Sequence, residues 1–347
     1  MKELKVGIIG AGLIASEVHI PNYLKSEKNV KIVAIADVII EKAKQVAETY
    51  GIPNVFHSYE KMLKEVKLDA ISVCVPNKFH AEATIAALEA GCHVLCEKPP
   101  AMNAEEARLM METAHKVGKN LTYGFHYRHS KEVEITKNMI DTGDMGHIYS
   151  ARVQAIRRRG IPGWGVFTNK DLQGGGSLID IGVHMLDIAL YLMGYPEPEN
   201  VLGKTHQRIG NRKGIGLLGE WDYKNFNVED MAVGMVTFKN GATLLIETAF
   251  AANVEKDDTM QVSIMGDQGG ADIFPLKIYQ EKYGALLDVS PAYIQKRDVY
   301  SHEINHFVKS CLEGTIPLST PEQGLIIQQI VDAIYESAQQ GKAIRFN

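Results

Sequence analysis

The chain has 347 residues, 45% of them hydrophobic and 23% charged, which is too long for one small core and apolar enough for two. Its 37 Lys and Arg against 42 Asp and Glu leave a net charge of −5, which argues against nucleic acid as a partner, because phosphate binding needs a basic face. In chain order, apolar runs at Val6–Ile9, Ile32–Ala36, Ala70–Val75, His93–Cys96 and Leu121–Phe125 predict strands buried on both faces. Between them, Glu41–Tyr50, Tyr59–Val66, Ala81–Ala90 and Ala104–Val117 have helical spacing and good helix formers. Such alternation predicts an α/β fold, a doubly wound parallel sheet over residues 1–124.

Residues 125–347 follow a different pattern. A helix is expected over Lys131–Thr142, a strand over Ile148–Arg157, and a helix over Ser177–Met193 after the run Gly174–Gly176. Strands at Ala232–Phe238, Ala242–Ala249 and Gln261–Met265, with turn signals between them, precede helices at His302–Leu312 and Pro321–Gln340. Clustered strands point to an α+β second domain with a mostly antiparallel sheet.

Cys74, Cys92, Cys96 and Cys311 offer no second pair for a zinc site, and so few thiols in a chain this long suggest a reducing compartment. The chain opens on a strand-like run, LKVGIIG, rather than a signal peptide, and no apolar stretch approaches the ~20 residues of a membrane span. A cytoplasmic protein without membrane contact is expected.

The first strand runs into Gly10-Ala11-Gly12-Leu13-Ile14-Ala15, a match to G-x-G-x-x-G/A. Gly10 permits the turn, Gly12 lets backbone approach a pyrophosphate, Ala15 allows close helix–strand packing, and the helix start at Leu13 and Ile14 offers N–H groups to phosphate. Asp37 ends the second apolar run, where a carboxylate bonds a ribose 2′-hydroxyl and repels a 2′-phosphate. No arginine follows at once, so NAD is favoured over NADP, with Lys42 the residue that would reverse this.

Further on stand Val75-Pro76-Asn77-Lys78-Phe79-His80, then Cys96-Glu97-Lys98-Pro99, then Gly174-Gly175-Gly176-Ser177-Leu178-Ile179-Asp180-Ile181-Gly182-Val183-His184, and Thr320-Pro321-Glu322. With the Gly loop, these resemble the Gfo/Idh/MocA oxidoreductases, which include glucose–fructose oxidoreductase and inositol dehydrogenase, over nearly the whole chain. The resemblance implies a Rossmann domain followed by an open-faced sheet used for homo-oligomer contacts, as a dimer or tetramer. It also implies NAD(P)-dependent hydride transfer at a secondary hydroxyl of a sugar, glycoside or cyclitol. By it, Pro76, Asn77, His80 and Glu97 line the cofactor, Lys98 lies at the nicotinamide and contacts the reacting hydroxyl, and Asp180 and His184 form an acid–base pair. The chain departs from some relatives at His126, in Gly124-Phe125-His126-Tyr127-Arg128.

Residue chemistry points the same way. Alcohol oxidation needs a hydride acceptor, a base and positive potential at the developing alkoxide. Lys98 comes after a buried strand, at the carboxyl edge where open α/β sheets bind ligands. The helix around residue 184 is apolar nearly all round except for Asp180, His184, Asp187 and Tyr191, which share one face. Asp187 and Tyr191 are read as structural, His184 as the base and Asp180 as its orienter. The three glycines before the helix would let substrate or nicotinamide approach closely.

His126, Arg128, Arg157 and Trp164 are the further substrate-side candidates, with Tyr127 beside them, and His19 and Ser58 are weaker cofactor-side ones. The triplet Arg157, Arg158 and Arg159 reads as solvated charge or local anion contact. His302-Glu303-Ile304-Asn305-His306 matches H-E-x-x-H, but no clear third ligand follows, so no metal is expected. Two alternatives remain: a glycosidase that uses tightly held NAD for transient oxidation, and a non-catalytic NAD-binding regulator.

Overall fold

In the computed structural model, which describes residues 3–26 and 28–346, the chain forms two compact units. The first comprises Met1–His129 and Asp298–Gln328, the second Ser130–Arg297 and Gln329–Asn347.

The first unit starts with β1 (Leu4–Ile9), whose burial on both faces comes from its apolar run. Helix α1 begins as a π turn, Ile14–His19, that continues as an α-helix, Ile20–Leu24. Next come β2 (Val30–Ala36), α2 (Ile40–Tyr50), β3 (Asn54–Phe56), α3 (Tyr59–Glu65) and β4 (Ala70–Val73). A 3₁₀ turn, Asn77–Phe79, leads into α4 (His80–Glu89), and then β5 (His93–Cys96), α5 (Ala104–Val117) and β6 (Leu121–Tyr123). The six strands are parallel in the order β3-β2-β1-β4-β5-β6, so the order reverses between β1 and β4, where the Gly loop lies. Strand β3 escapes the sequence pattern, since three residues are too few for a hydrophobic period.

The second unit holds α6 (Lys131–Asp141), β7 (Ile148–Arg157), α7 (Lys170–Gln173) and α8, a π turn at Leu178–Gly182 continuing as an α-helix over Val183–Met193. Strands β8 (Pro198–His206), β9 (Met231–Phe238), β10 (Thr243–Ala249), β11 (Asp258–Gly266), β12 (Gly269–Asp272), β13 (Lys277–Lys282) and β14 (Ala285–Val289) complete most of its sheet. Every pairing is antiparallel except that of β7 with β10. Helix α8 packs across β7 and β11 and is sealed on most sides, which is why a stretch within Lys170–Met193 that is apolar enough to cross a membrane is 83% buried inside the protein.

The glycines before α8 have a different purpose from the one expected. Gly174 takes the left-handed cap of α7 at φ +83°. A Cβ at Gly175 would lie 2.1 Å from the Tyr335 hydroxyl, and one at Gly176 would lie 2.0 Å from the Glu229 carbonyl. The close approach is therefore to the protein's own side chain and backbone. Glu229 then holds the helix start: its carboxylate accepts the Gly176 N–H at 2.7 Å, the Leu178 N–H at 3.0 Å and the Tyr335 hydroxyl at 2.9 Å.

The chain continues into α9 (Val299–Glu313), α10 (Pro321–Gln340) and β15 (Ile344–Arg345), which pairs with β8. Residues 298–328 cluster with the first unit, whereas the sequence pattern predicts a second domain unbroken from 125 to 347. The cause is the apolar face of α9: Ile304, Phe307 and Val308 share a core with Leu4, Val6, Ile8, Ile20 and Tyr23. The 3₁₀ turn His126–His129 also packs on α9, with the His126 ring 4.2 Å from that of Tyr300 and the His129 ring 5.4 Å from that of His306.

Phe307, 1% exposed, tests this assignment: Phe307→Ala is expected to destabilise the protein by about 3–5 kcal/mol in urea unfolding. The histidines give a pH signature. Burial, with the charge of Lys98 added and that of Glu97 opposing, holds His126 down to about 4, and burial with His306, Arg128, His302 and His126 holds His129 down to about 3. The unfolded chain binds those protons from about pH 6.5, so it carries more of them than the folded chain below that pH. Stability should fall as pH drops from about 6.5 toward 4, read as Tm in a calorimeter, and His129→Phe should flatten the slope.

Candidate active site

The Gly loop is built by sterics. Gly10 stands at φ +97°, and a Cβ there would meet the Cys74 carbonyl oxygen at 2.5 Å, so no other residue fits the turn. Its N–H donates to the Ala36 carbonyl at 2.8 Å. Gly12 has open space where a Cβ would stand, at the start of α1, with Leu13 exposed and Ile14 half-buried beside it. Ala15 is buried, as close packing of helix and strand requires.

Asp37 closes this corner. Its Oδ2 accepts the Ala11 N–H at 2.7 Å and its Oδ1 the Ile39 N–H at 2.7 Å. The carboxylate thus ties the end of β2 to the Gly loop. A dinucleotide fits these residues: bare backbone at Gly12, helix N–H groups for phosphate, and a fixed carboxylate at the neighbouring strand end.

At the next strand ends, Pro76 is exposed, and Asn77 is buried at the head of its 3₁₀ turn. His80 is sealed in protein, its ring between the Pro99 carbonyl at 2.8 Å and the Val75 carbonyl at 3.0 Å. It shapes the site by joining these two segments and has no surface for a ligand. Lys98 is half-buried just past β5, and Glu97 is buried. His19 lies beneath them: its Nε2 is 2.8 Å from Glu97 Oε1 and its Nδ1 is 3.1 Å from Ser72 Oγ. Ser58 is elsewhere, capping α3 by accepting the Lys61 N–H.

Around residue 126 the structure divides the candidates. His126 is buried and neutral near physiological pH. Arg128, expected at the substrate, is 2% exposed; its Nη1 donates to the Leu318 carbonyl at 2.6 Å and Gln323 Oε1 at 2.7 Å. Its charge therefore clamps residues within the first unit. The H-E-x-x-H pair is likewise absorbed, as His306 Nε2 accepts the Leu318 N–H at 2.8 Å. Among the described residues no three His, Cys, Asp or Glu side chains are grouped to hold a metal.

In the second unit, Asp180 belongs to the π turn and His184 to the first α turn of α8, at 9% and 8% exposure. Both are nearly buried at the start of the helix, whose more open positions are Tyr191 and Met193 toward its end. Farther along, Asp187 accepts the Tyr195 hydroxyl at 3.1 Å and Tyr191 lies under Lys137, which are structural roles. Arg157 turns inward to the Gly160 carbonyl at 3.4 Å, while Arg158 and Arg159 bond the 252–257 turn, so the triplet serves its own loop. Trp164 is 48% exposed on the loop after β7, open to a ligand. Sequence reasoning missed Glu229 and Ser72, single polar residues in apolar surroundings whose partners lie far away in sequence.

Comparison with known proteins sharpens this picture. A family model described as the oxidoreductase family, NAD-binding Rossmann fold, matches residues 4–125, and its C-terminal alpha/beta domain matches residues 137–346. A D-glucoside 3-dehydrogenase of Escherichia coli (strain K12) is 44% identical over 341 residues, covering 98% of this chain and 97% of that one. A levoglucosan dehydrogenase of Pseudarthrobacter phenanthrenivorans is 26% identical, covering 97% of each chain. In fold, the chain superposes on a solved levoglucosan dehydrogenase in complex with NADH and levoglucosan, with TM-score 0.85, 24% identity and 99% of each chain covered. The switch-point Gly loop, Asp37 and Lys98 lie within the span matched by the NAD-binding Rossmann model, and the chain belongs to the GFO/IDH/MocA oxidoreductase family.

Proposed function

We propose that this chain is an NAD-dependent dehydrogenase that oxidises the 3-hydroxyl of D-glucosides. The observation that carries the reading is the pair Asp180 and His184, two ionisable side chains one turn apart at the start of a buried, mostly apolar helix. The name of the 44% identical relative supplies the glucoside and the ring position.

NAD, when bound, supplies the hydride acceptor. The residues do the rest. His184 takes the hydroxyl proton on an imidazole nitrogen, and Asp180, in the preceding turn, orients the ring and stabilises its cation. Lys98 supplies positive potential to the developing alkoxide. Trp164 offers a flat apolar face to a pyranose ring. The reverse reduction uses the same groups.

We also propose a cytoplasmic homo-oligomer. All four cysteines are unpaired, consistent with a reducing compartment. The second sheet exposes Leu202, Met235 and Leu245 together with Arg152 and Glu247, an apolar face with a charged rim suited to a second copy.

Glucosides and cyclitols should be screened with NAD and NADP by the absorbance of the reduced cofactor. A D-glucoside with its 3-hydroxyl free is expected to react and its 3-deoxy analogue is not. His184→Ala should lower kcat by about 10²–10⁴-fold while the NADH Kd changes less than about twofold. A lost NADH affinity with normal turnover would contradict the assigned role. For the cofactor, the fixed Asp37 carboxylate should make NADP bind at least about tenfold more weakly than NAD, or 1.4 kcal/mol by the usual conversion. Asp37→Ser should narrow that gap, and should weaken NAD too because Ala11 loses its acceptor; fluorescence titration with both cofactors reads each effect.

A further inference from the structure

The interior behind Lys98 contains a run of hydrogen-bonded side chains that take no part in the proton and hydride transfers. Tyr23 OH is 2.8 Å from Ser72 Oγ, Ser72 Oγ is 3.1 Å from His19 Nδ1, and His19 Nε2 is 2.8 Å from Glu97 Oε1. His19 and Ser72 are fully buried and Tyr23 is 2% exposed, so no water competes for these groups. One direction along the run satisfies every donor. The phenol donates to Ser72, the serine hydroxyl donates to Nδ1, and the Nε2–H donates to the carboxylate. Glu97 Oε2 in turn accepts the Lys98 backbone N–H at 3.1 Å. The carboxyl lies against Gly124, where a Cβ would come within 3.0 Å of its carbon and both oxygens.

We propose that His19, backed by Ser72 and Tyr23, is a positioning residue for the site cation: by donating to Glu97 it keeps that buried side chain a carboxylate, held as an anion beside Lys98. This rests on the reading in which Lys98 faces the reacting hydroxyl. Lys98 needs a fixed counter-charge beside it, and a buried acid without a donor would take up a proton and lose its charge.

The surroundings agree. Burial pushes the Glu97 carboxyl up, but the His19 hydrogen bond and the positive charge of Lys98 bring it below the ordinary carboxylate range. The other titratable neighbours are held uncharged. Burial pushes His80 on α4 and His126 down, and pushes the Cys74 and Cys96 thiols up. Burial, with Glu97 adding to it, raises Tyr300 on α9 to about 12, and burial raises Tyr23 as well. Near neutral pH that leaves the His19 hydrogen bond and Lys98 to offset the burial of Glu97.

A carboxyl held below its unfolded value stays charged until pH falls through its folded pKa, where the anion and its stabilisation are lost. Removing the His19 donor moves that loss to higher pH. The test uses the full chain as wild type, His19→Leu, His19→Gln and the double variant His19→Leu/Glu97→Gln. Infrared spectra at about pH 7 should show the carbonyl band of a protonated carboxylic acid in His19→Leu alone. It should be absent in wild type, in the double variant, and in His19→Gln, whose amide can still donate to Glu97 and accept from Ser72. The acid limb of kcat should move up by about one pH unit or more in His19→Leu, kcat should fall about tenfold, and the NADH Kd should change less than about twofold. His19→Gln should restore most of the wild-type profile. An unchanged spectrum with an unmoved acid limb in His19→Leu overturns the proposal. Should His19→Leu fail to fold, Ser72→Ala, which deprives His19 of its partner, carries the same two readouts. The infrared band needs no turnover, so absence of sugar oxidation in wild type would sink the proposed activity alone, while the band still decides the role of His19.

Discussion

The first unit is organised around one buried carboxylate. Taking an ionised carboxyl out of water costs several kcal/mol unless donors meet it. Glu97 is met by His19 from α1 and by the backbone N–H of Lys98, and Gly124 at the end of β6 leaves it room. The helix that brings His19 is the helix whose first turn succeeds the Gly loop. Anchoring α1 from below at Glu97 therefore also fixes the helix start that faces a dinucleotide from above. Ser72 extends the constraint to β4, the strand on the far side of the switch point. Cofactor loop, sheet end and Lys98 are thus coupled through one acid.

The second unit repeats the device with different parts. Glu229 is buried at the start of α8, where the free N–H groups of a helix favour negative charge. Burial pushes its carboxyl up, against the pull of the Leu178 and Gly176 N–H groups and the Tyr335 hydroxyl. Gly175 and Gly176 exist because Tyr335 and the Glu229 backbone approach so closely. The helix start that presents Asp180 and His184 is thereby set by a residue some fifty positions along the chain. Both helices that carry the proposed positioning and acid–base residues, α1 and α8, open with a π turn. Such a turn adds a residue to the helical cycle and re-aims the side chains of the next turn, a distortion frequent at functional sites.

Much of this is legible in the residues. Five of the six strands of the first sheet announce themselves as apolar runs, because a parallel sheet buried on both faces leaves no alternative composition. Gly10 is legible because only glycine takes its turn. What is not legible has a shared cause: partners that come from other segments of the chain. Arg128 reads as a substrate contact until Leu318 and Gln323 come to meet it. His80 reads as a cofactor contact until two carbonyls enclose it. Local pattern also cannot say which core the apolar face of α9 will join.

The same neutralisations bear on chemistry at Lys98. A cation stabilises an alkoxide best when its field is local and not diluted by mobile neighbouring charge. Close to Lys98, burial keeps His126 uncharged, and it does the same for His129 one turn further on. The guanidinium of Arg128 is directed into a carbonyl and an amide, which fixes its charge and turns it toward the protein. Glu97 is fixed from both oxygens. What remains at the carboxyl end of β5 is an anion that cannot move and a lysine beside it. In the proposed reaction its ammonium group would then respond to charge developing on a substrate oxygen without first reorganising the groups around it.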